Sequence, residues 1–578
     1  MDMVNIKINN IPVQVPAGIT ILEAAKAASV EIPTLCYLKG LNEAGACRIC
    51  VVEVKGQRTL VAACVFPVNE GMEVQTNTAA VRESRKHTLE LIVSDHKREC
   101  LSCVRSVTCQ LQKLCNEYGI DENTFKGIKH KDEIDDLSPS IVRDNTKCVL
   151  CRRCVAACEK WQSVSVISPV GRGFVTEIRC ALEESLNDAP CVNCGQCIVA
   201  CPTGALTEKD STDGVWAALA NPDKHVVVFT APSIRVTLGE AFDMPVGSNV
   251  TGKLAASLRR LGFDGVFDMN VTADLTIMEE AHEFIERVKN GGKLPMITSC
   301  SPGRIKFCEH YFPDFIENLS TCKSPQQMFG AVLKTFYAEK KGLDPKSIYV
   351  VSIIPCTAKK FELGRDDQAA AGIPDVDAAL TTRELARMIA RGGINFVNLP
   401  DEEFDNPFET GTGAAVIFGT TGGVMEAALR TASHWLDDSF EVVDFTEVRG
   451  PDNIKRATYK VAGIEVKVAA TSGLANARHL LEAVRNGEED LHFIEVMACP
   501  GGCINGGGQP YQSDSVRNNV DLVAIRRKAI YDADIGLPLR KSHESPVMKY
   551  VYDEHFGSPG SHKAHEALHT SYVKRDAF

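Results

Sequence analysis

With 578 residues, 44% of them apolar and 24% charged, the chain is too long for one core and has the composition of a globular protein of several domains. Its net charge of -12 argues against a nucleic-acid partner, which needs a clustered basic surface. No apolar run reaches the roughly 18–20 residues of a membrane span, and the N-terminus shows neither an apolar signal core nor a twin-arginine pair, so the expectation is a cytoplasmic protein with no membrane contact.

Residues 3–15 (MVNIKINNIPVQV) alternate in character and predict two short strands about a turn at Asn9–Asn10, with a helix following over Thr20–Ala28. Cysteine is the anomaly from there on. Of 23 cysteines, 17 lie between Cys36 and Cys201 and six between Cys300 and Cys503. In a long chain without an export signal, cysteines two residues apart point to metal ligands rather than disulfides. The uneven spread marks a cluster-bearing N-terminal third ahead of a different C-terminal part.

Cys36, Cys47, Cys50 and Cys64 form a C-x10-C-x2-C-x13-C array with Gly40 and Gly45 in its first loop. The array resembles the 2Fe–2S domain of the large iron–sulfur subunit of respiratory complex I, with a structural zinc site as the alternative. A helix is predicted between Asn77 and Asp95, and H-x3-C-x2-C-x5-C follows at His96, Cys100, Cys103 and Cys109. Three thiolates and an imidazole also describe a zinc knot. The order of the two sites is again that of complex I and its relatives, which implies a 4Fe–4S cluster with one His ligand. Cys148, Cys151, Cys154 and Cys158, then Cys191, Cys194, Cys197 and Cys201, write the C-x2-C-x2-C-x3-C ferredoxin pattern twice. In that pattern the fourth cysteine of each run ligates the other cluster. Cys201 is therefore expected with Cys148, Cys151 and Cys154, and Cys158 with Cys191, Cys194 and Cys197, giving a wire of four clusters in line that electrons are expected to enter through the Cys36 or the His96 cluster before passing the ferredoxin-like pair.

From about Val215 short apolar runs alternate with amphipathic stretches. Val226–Thr230, Ile348–Ile354 and Ala414–Phe418 read as buried parallel strands, with helices over Lys253–Leu261, Ile277–Lys289 and Thr382–Arg391. This predicts an α/β architecture with its chemistry at the strand ends. Three segments carry that chemistry: Thr298–Arg304 (TSCSPGR), Ile354–Glu362 (IPCTAKKFE) and Glu495–Pro510 (EVMACPGGCINGGGQP). The last two resemble, nearly residue for residue, two of the three signature motifs of FeFe-hydrogenases, and the first segment looks like an altered copy of the family's remaining motif. The likeness extends over essentially the whole chain.

The resemblance implies an H-cluster: a 4Fe–4S cubane bridged to a di-iron centre that carries CO, cyanide and an azadithiolate. Cys356, Cys499 and Cys503 match cubane ligands, Cys503 being the bridge. Pro232, Ser233, Gln326 and Lys359 match the surroundings of the cyanides, and Phe418 and Met497 those of the carbonyls. Glu280, Glu283 and Arg287 share one helical face, which alone would be a plain salt-bridged surface. The family's proton relay matches Glu280, Glu283 and Ser320, with Arg287 alongside and Cys300 at the inner end.

The first motif departs from the family's Thr-Ser-Cys-Cys-Pro-x-Trp. Ser301 stands where a cysteine ligates the cubane, and Arg304 where tryptophan is usual. A hydroxyl is a poor ligand for soft iron, so Cys300 is expected to take over ligation, leaving the relay without its thiol. Ligation through the Ser301 oxygen and a labile cubane are the alternatives. Ile354 also replaces a common methionine beside the di-iron site.

The implied activity is 2H⁺ + 2e⁻ ⇌ H₂ at a site between two lobes. A hydrogenase-like sensor, or a complex-I-like electron-transfer subunit, is the alternative. The expected domains are a β-grasp 2Fe–2S domain (1–79), a His-ligated 4Fe–4S domain (80–138), a two-cluster ferredoxin-like domain (139–212), an α/β H-cluster domain (213–512) and a small-subunit-like tail (513–578). No G-x-G-x-x-G follows a predicted strand. Partners would be ferredoxin, or separate subunits that bind flavin and NAD(P).

Overall fold

The computed structural model describes residues 2–121, 124–129, 134–408, 411–437, 442–461 and 463–576. Strands Met3–Ile8 and Ile11–Pro16 pair as a hairpin at one edge of a five-stranded sheet. Asn9 and Asn10 make the turn at φ 49° and 68°, a left-handed conformation that asparagine tolerates better than most residues. Alternation buries Ile6, Ile8 and Val15 against Ile21, Leu22, Ala24 and Ala25 of helix Ile21–Ala27. The Thr20 hydroxyl caps that helix by accepting from the Glu23 N–H. Helix Ala79–Asp95 then ends on His96.

The duplicated cysteine runs are duplicated in conformation. Each leads into a short helix, Arg153–Ala156 or Gln196–Ala200. The approach is through residues of positive φ, Leu150 and Arg152 in the first run and Asn193 and Gly195 in the second. Left-handed residues in such a turn aim backbone N–H groups inward, as the Leu150 N–H is aimed at Cys148 Sγ (3.4 Å).

Two four-stranded sheets form the remainder. The first is wholly parallel, in the order Gly265–Asp268, His225–Thr230, Ile348–Ile354, Ala378–Thr381. Its strands are almost continuously buried, as strands covered on both faces must be. The second runs Met296–Ile297, Phe493–Met497, Ile464–Ser472, Ile454–Val461, with only the last pairing antiparallel. Segments leaving the carboxyl ends of these strands carry Ser233, Cys300, Cys356 and Cys499 into one space between the sheets.

Two elements differ from the sequence expectation. Ala414–Phe418 is not a strand: Gly413–Val416 is α-helical and Ile417–Gly419 continues as a 3-10 turn. Every residue of this segment is buried, and a short run buried all round carries no period that separates helix from strand. The helix expected over Ile277–Lys289 spans Asn270–Asn290. Its first turns, Asn270–Ile277, are buried on every side and so lack an amphipathic signature. Among the described residues no helix is long and apolar enough to cross a membrane.

Candidate active site

Between the two sheets lies an almost wholly apolar cavity. Cys300, Ser301, Cys356, Cys499 and Cys503 meet on its wall, brought there by three segments remote in sequence. None of the cysteines forms a disulfide. Thiols converging on a dry hollow form the donor chemistry of a soft-metal cluster, so the residues fit a cubane there. Gly502, at φ 98°, turns the chain toward Cys503, and a Cβ there would lie 2.7 Å from the Thr421 nitrogen. Ser301 Oγ accepts from the Ala498 N–H at 3.4 Å, so its oxygen already has a partner.

Pro232, Ser233, Gln326, Ile354, Lys359, Phe418 and Met497 complete the wall. Lys359 is only 8% exposed, and Glu362 holds its Nζ with both oxygens (3.2 and 2.9 Å). Gln326 donates to Glu362 (3.1 Å) and accepts from the Ser352 hydroxyl (2.9 Å). Gln509 donates to both Ser233 Oγ (3.3 Å) and the Cys503 carbonyl (2.9 Å). Buried polar groups are thus tied to one another behind an apolar surface.

Glu280, Glu283, Ser320 and Arg287 do not line the cavity but stand behind the Ser299–Cys300 turn. Glu280 Oε1 accepts from the Ser299 N–H (3.0 Å) and hydroxyl (2.9 Å). Burial pushes its carboxyl above the usual range. Ser320 donates to Glu283 Oε2 at 2.9 Å, and Arg287 grips Glu283 Oε1 at 2.5 Å. Glu283 and Arg287 are 14% and 13% exposed, which puts the outer end of the row at the surface.

The accessory sites group in the same way. Cys148, Cys151, Cys154 and Cys201 line one small cavity, and Cys158, Cys191, Cys194 and Cys197 line another. The Cys50 and Cys64 sulfurs are 3.3 Å apart, and the Cys36 and Cys47 thiols hydrogen-bond to each other. His96 Nδ1 is buried without a hydrogen-bond partner. Burial lowers this imidazole to about 4, which leaves it neutral and able to bind metal. Cys103 lies against Gly204, in the loop after Cys201, and Cys109 is partly buried nearby, as is Cys100.

The Cys36 and His96 sites both dock on the Cys148 set. Asn42 donates to the carbonyls of both Cys36 (2.7 Å) and Cys151 (3.0 Å), which docks the first cysteine loop on the Cys148 set. Buried Arg153 reinforces that contact by donating to the Cys36 and Tyr37 carbonyls and pairing with Asp514. Arg105 donates to the Cys201 carbonyl (3.0 Å) and the Gln110 N–H to the Pro202 carbonyl (3.1 Å), which docks the His96 segment on the same set. Onward from the second set, Cys194 lines both its own cavity and the central one. A Cβ on Gly507 would lie 2.2 Å from the Cys194 carbonyl oxygen, so this junction requires glycine.

Sequence reasoning passed over several residues. Ser299 and Gln509 sit inside quoted motifs, but only the fold shows what they hold. Arg304, noted only for replacing a tryptophan, is fully buried, and among the described residues its guanidinium has no hydrogen-bond partner. Glu495 lies beneath the last motif, accepting from the Gly422 and Met425 N–H groups (2.7 Å each), and burial raises it to about 7.

Cysteine sets chained together and ending on a dry cavity define an iron–sulfur oxidoreductase. Residues 224–507 match the family described as iron only hydrogenase large subunit, C-terminal domain, and residues 520–575 match iron hydrogenase small subunit. A 2Fe-2S cluster binding domain matches residues 1–79, the NADH-ubiquinone oxidoreductase-G iron-sulfur binding region residues 85–124, and a 4Fe-4S binding domain residues 186–207. The chain is 49% identical to NADP-reducing hydrogenase subunit HndD of Solidesulfovibrio fructosivorans over the whole of both chains. It is 42% identical to iron hydrogenase 1 of Clostridium pasteurianum over 99% of this chain and 100% of that one. The solved [FeFe]-hydrogenase HydA(deltaEFG) aligns with TM-score 0.57 at 40% identity, covering 63% of this chain and 99% of that one. The chain belongs to the FeFe-hydrogenases, and it carries accessory iron–sulfur domains ahead of the catalytic fold.

Proposed function

We propose that the central cavity holds an H-cluster at which protons and H₂ interconvert, fed by one 2Fe–2S and three 4Fe–4S clusters. The observation that carries this reading is the meeting of thiols from three distant motifs on one apolar wall. Cys300, Cys356, Cys499 and Cys503 would hold the cubane, Cys503 as the bridge, and Ser301 stays with its backbone partner. When bound, the group supplies the two-electron chemistry. The chain supplies position, dryness and protons.

Ser233, oriented by Gln509, and Lys359, oriented by Glu362, bring polar groups to the cavity wall. Pro232 and Gln326 line the same cavity, and Phe418 and Met497 add apolar surface that excludes water. Glu362 neutralises Lys359, which makes its burial tolerable. Protons arrive at Glu283, positioned by Arg287, pass the Ser320 hydroxyl and reach Glu280, tied to Ser299 beside the cavity. Glu280, with its raised affinity for a proton, is suited to hold one in the dry interior.

For the accessory clusters the ligand sets are Cys36, Cys47, Cys50 and Cys64; His96, Cys100, Cys103 and Cys109; and the two crossed ferredoxin sets. Likeness to a subunit named as NADP-reducing favours a complex in which a partner subunit carries the nicotinamide, with ferredoxin as the other candidate donor. Infrared spectroscopy of matured protein tests the catalytic reading. Metal-bound CO and cyanide bands are expected, and their absence after maturation would leave only an electron-relay protein.

A further inference from the structure

The carboxylate at the surface end of the proton row has two neighbours that no step above uses. Cys322 Sγ lies 3.9 Å from Glu283 Oε2, and the ring of His569 arrives beside them from the C-terminal tail. One donor atom from each of Glu283, Cys322 and His569 lies within 4.8 Å of the other two. We propose that these three residues form a binding site for a single divalent cation of the zinc class, and that filling it closes the proton path at Glu283. The closing rests on the relay reading above; the binding does not.

A thiolate, an imidazole and a carboxylate with a fourth position left for water form a zinc donor set. With bonds of about 2.0–2.3 Å, the edges of a tetrahedral site are roughly 3.3–3.8 Å, so the donors need to close by only about an ångström. The backbone beneath them is already fixed. Cys322 and His569 form an antiparallel bridge, flanked by Lys323 N–H to the Leu568 carbonyl and Thr570 N–H to the Thr321 carbonyl, both 2.7 Å. Outer partners are in place as well. The His569 ring lies between Glu279 Oε2 (to Nε2, 3.2 Å) and Thr321 Oγ1 (to Nδ1, 2.7 Å); a metal would replace one of these contacts, and the other would set the tautomer of the bound imidazole.

Charge favours a cation. Glu279, Glu280 and Glu283 crowd the Cys322 thiol, and Arg287 is the cation paired with Glu283. Burial and then these carboxylates hold the thiol protonated. A bound dication reverses that balance, taking the thiolate and releasing one proton to water. Glu283 reaches the surface at 14% exposure, with His569 (6%) and Cys322 beneath it.

The test uses the full chain with its iron–sulfur clusters but without the di-iron group, titrated with Zn²⁺ and read by zinc X-ray absorption. One zinc per chain is expected, with one sulfur at about 2.3 Å and the remaining donors nitrogen or oxygen. Cys322→Ala should remove the sulfur, and both it and His569→Gln should weaken binding about tenfold or more. In matured enzyme, zinc should suppress H₂ evolution by the native chain and spare Cys322→Ala. No bound zinc, an all-sulfur shell, or binding indifferent to both substitutions would overturn the site. Binding without inhibition would keep the site and remove Glu283 from the proton path.

Discussion

At the scale of single residues the catalytic site turns on the pair Cys300 and Ser301. Both line the cavity, but only Ser301 has its polar atom engaged, by the Ala498 N–H. A thiolate binds iron far better than a hydroxyl, so removal of either side chain should have unequal consequences. Ser301→Ala is expected to retain the cubane, and Cys300→Ala to lose about four irons per chain by iron and sulfide analysis. Full cluster content in Cys300→Ala would return ligation to Ser301. Glu495 offers a separate test. Its folded pKa of about 7 lies above the ordinary carboxylate value because it is buried, so the folded chain binds the proton more tightly than the unfolded one. Its contribution to stability is present below about pH 4.5 and is lost as pH rises through about 7. Thermal unfolding of the native chain should therefore move to lower temperature between about pH 4.5 and 7, and less so in Glu495→Gln. Equal slopes would place the proton elsewhere.

At the scale of elements, how much could be read from sequence depended on periodicity and on motif. The hairpin about Asn9 and Asn10, the two central strands of the parallel sheet and the amphipathic helix Thr382–Arg391 all carry clear patterns. Ala414–Phe418 and the first turns of Asn270–Asn290 carry none, because side chains buried in every direction erase the contrast on which a period depends. The cavity wall was legible for a different reason, since its chemistry sits in compact motifs. The ties behind the wall were not. Lys359 with Glu362 lies within one helical turn, but Gln509 reaches Ser233 across 276 residues and Thr321 meets His569 across 248. Such pairings exist only once the strands have ordered the loops. The contact of Gly507 with the Cys194 loop is of this kind and makes a sharp prediction. Gly507→Ala drives a methyl into the Cys194 carbonyl oxygen, an overpacking expected to cost about 1–3 kcal/mol. It should slow electron passage to the cubane in stopped-flow reduction while leaving the Cys36 cluster spectrum intact. Unchanged kinetics would show that the loops touch without carrying current.

At the scale of the molecule the two outer accessory sites converge on one inner site. Chain order places the Cys36 set before the His96 set, whereas Asn42, Arg153 and Arg105 bring both onto the Cys148 set. Loss of either outer site should therefore leave a working route. Cys64→Ala or Cys103→Ala is expected to keep most of the H₂ evolution driven by a reduced ferredoxin, and Cys151→Ala to abolish it. Loss of all activity in either outer variant would restore the line. The convergence also bears on what the chain can and cannot do for its partners. Two inlets that share one node come to a common potential, so electrons from a strong and a weak carrier lose their history before they reach the cavity. Any device that keeps two such pools distinct, or forces them to be spent in fixed proportion, belongs upstream, where each partner meets its own inlet.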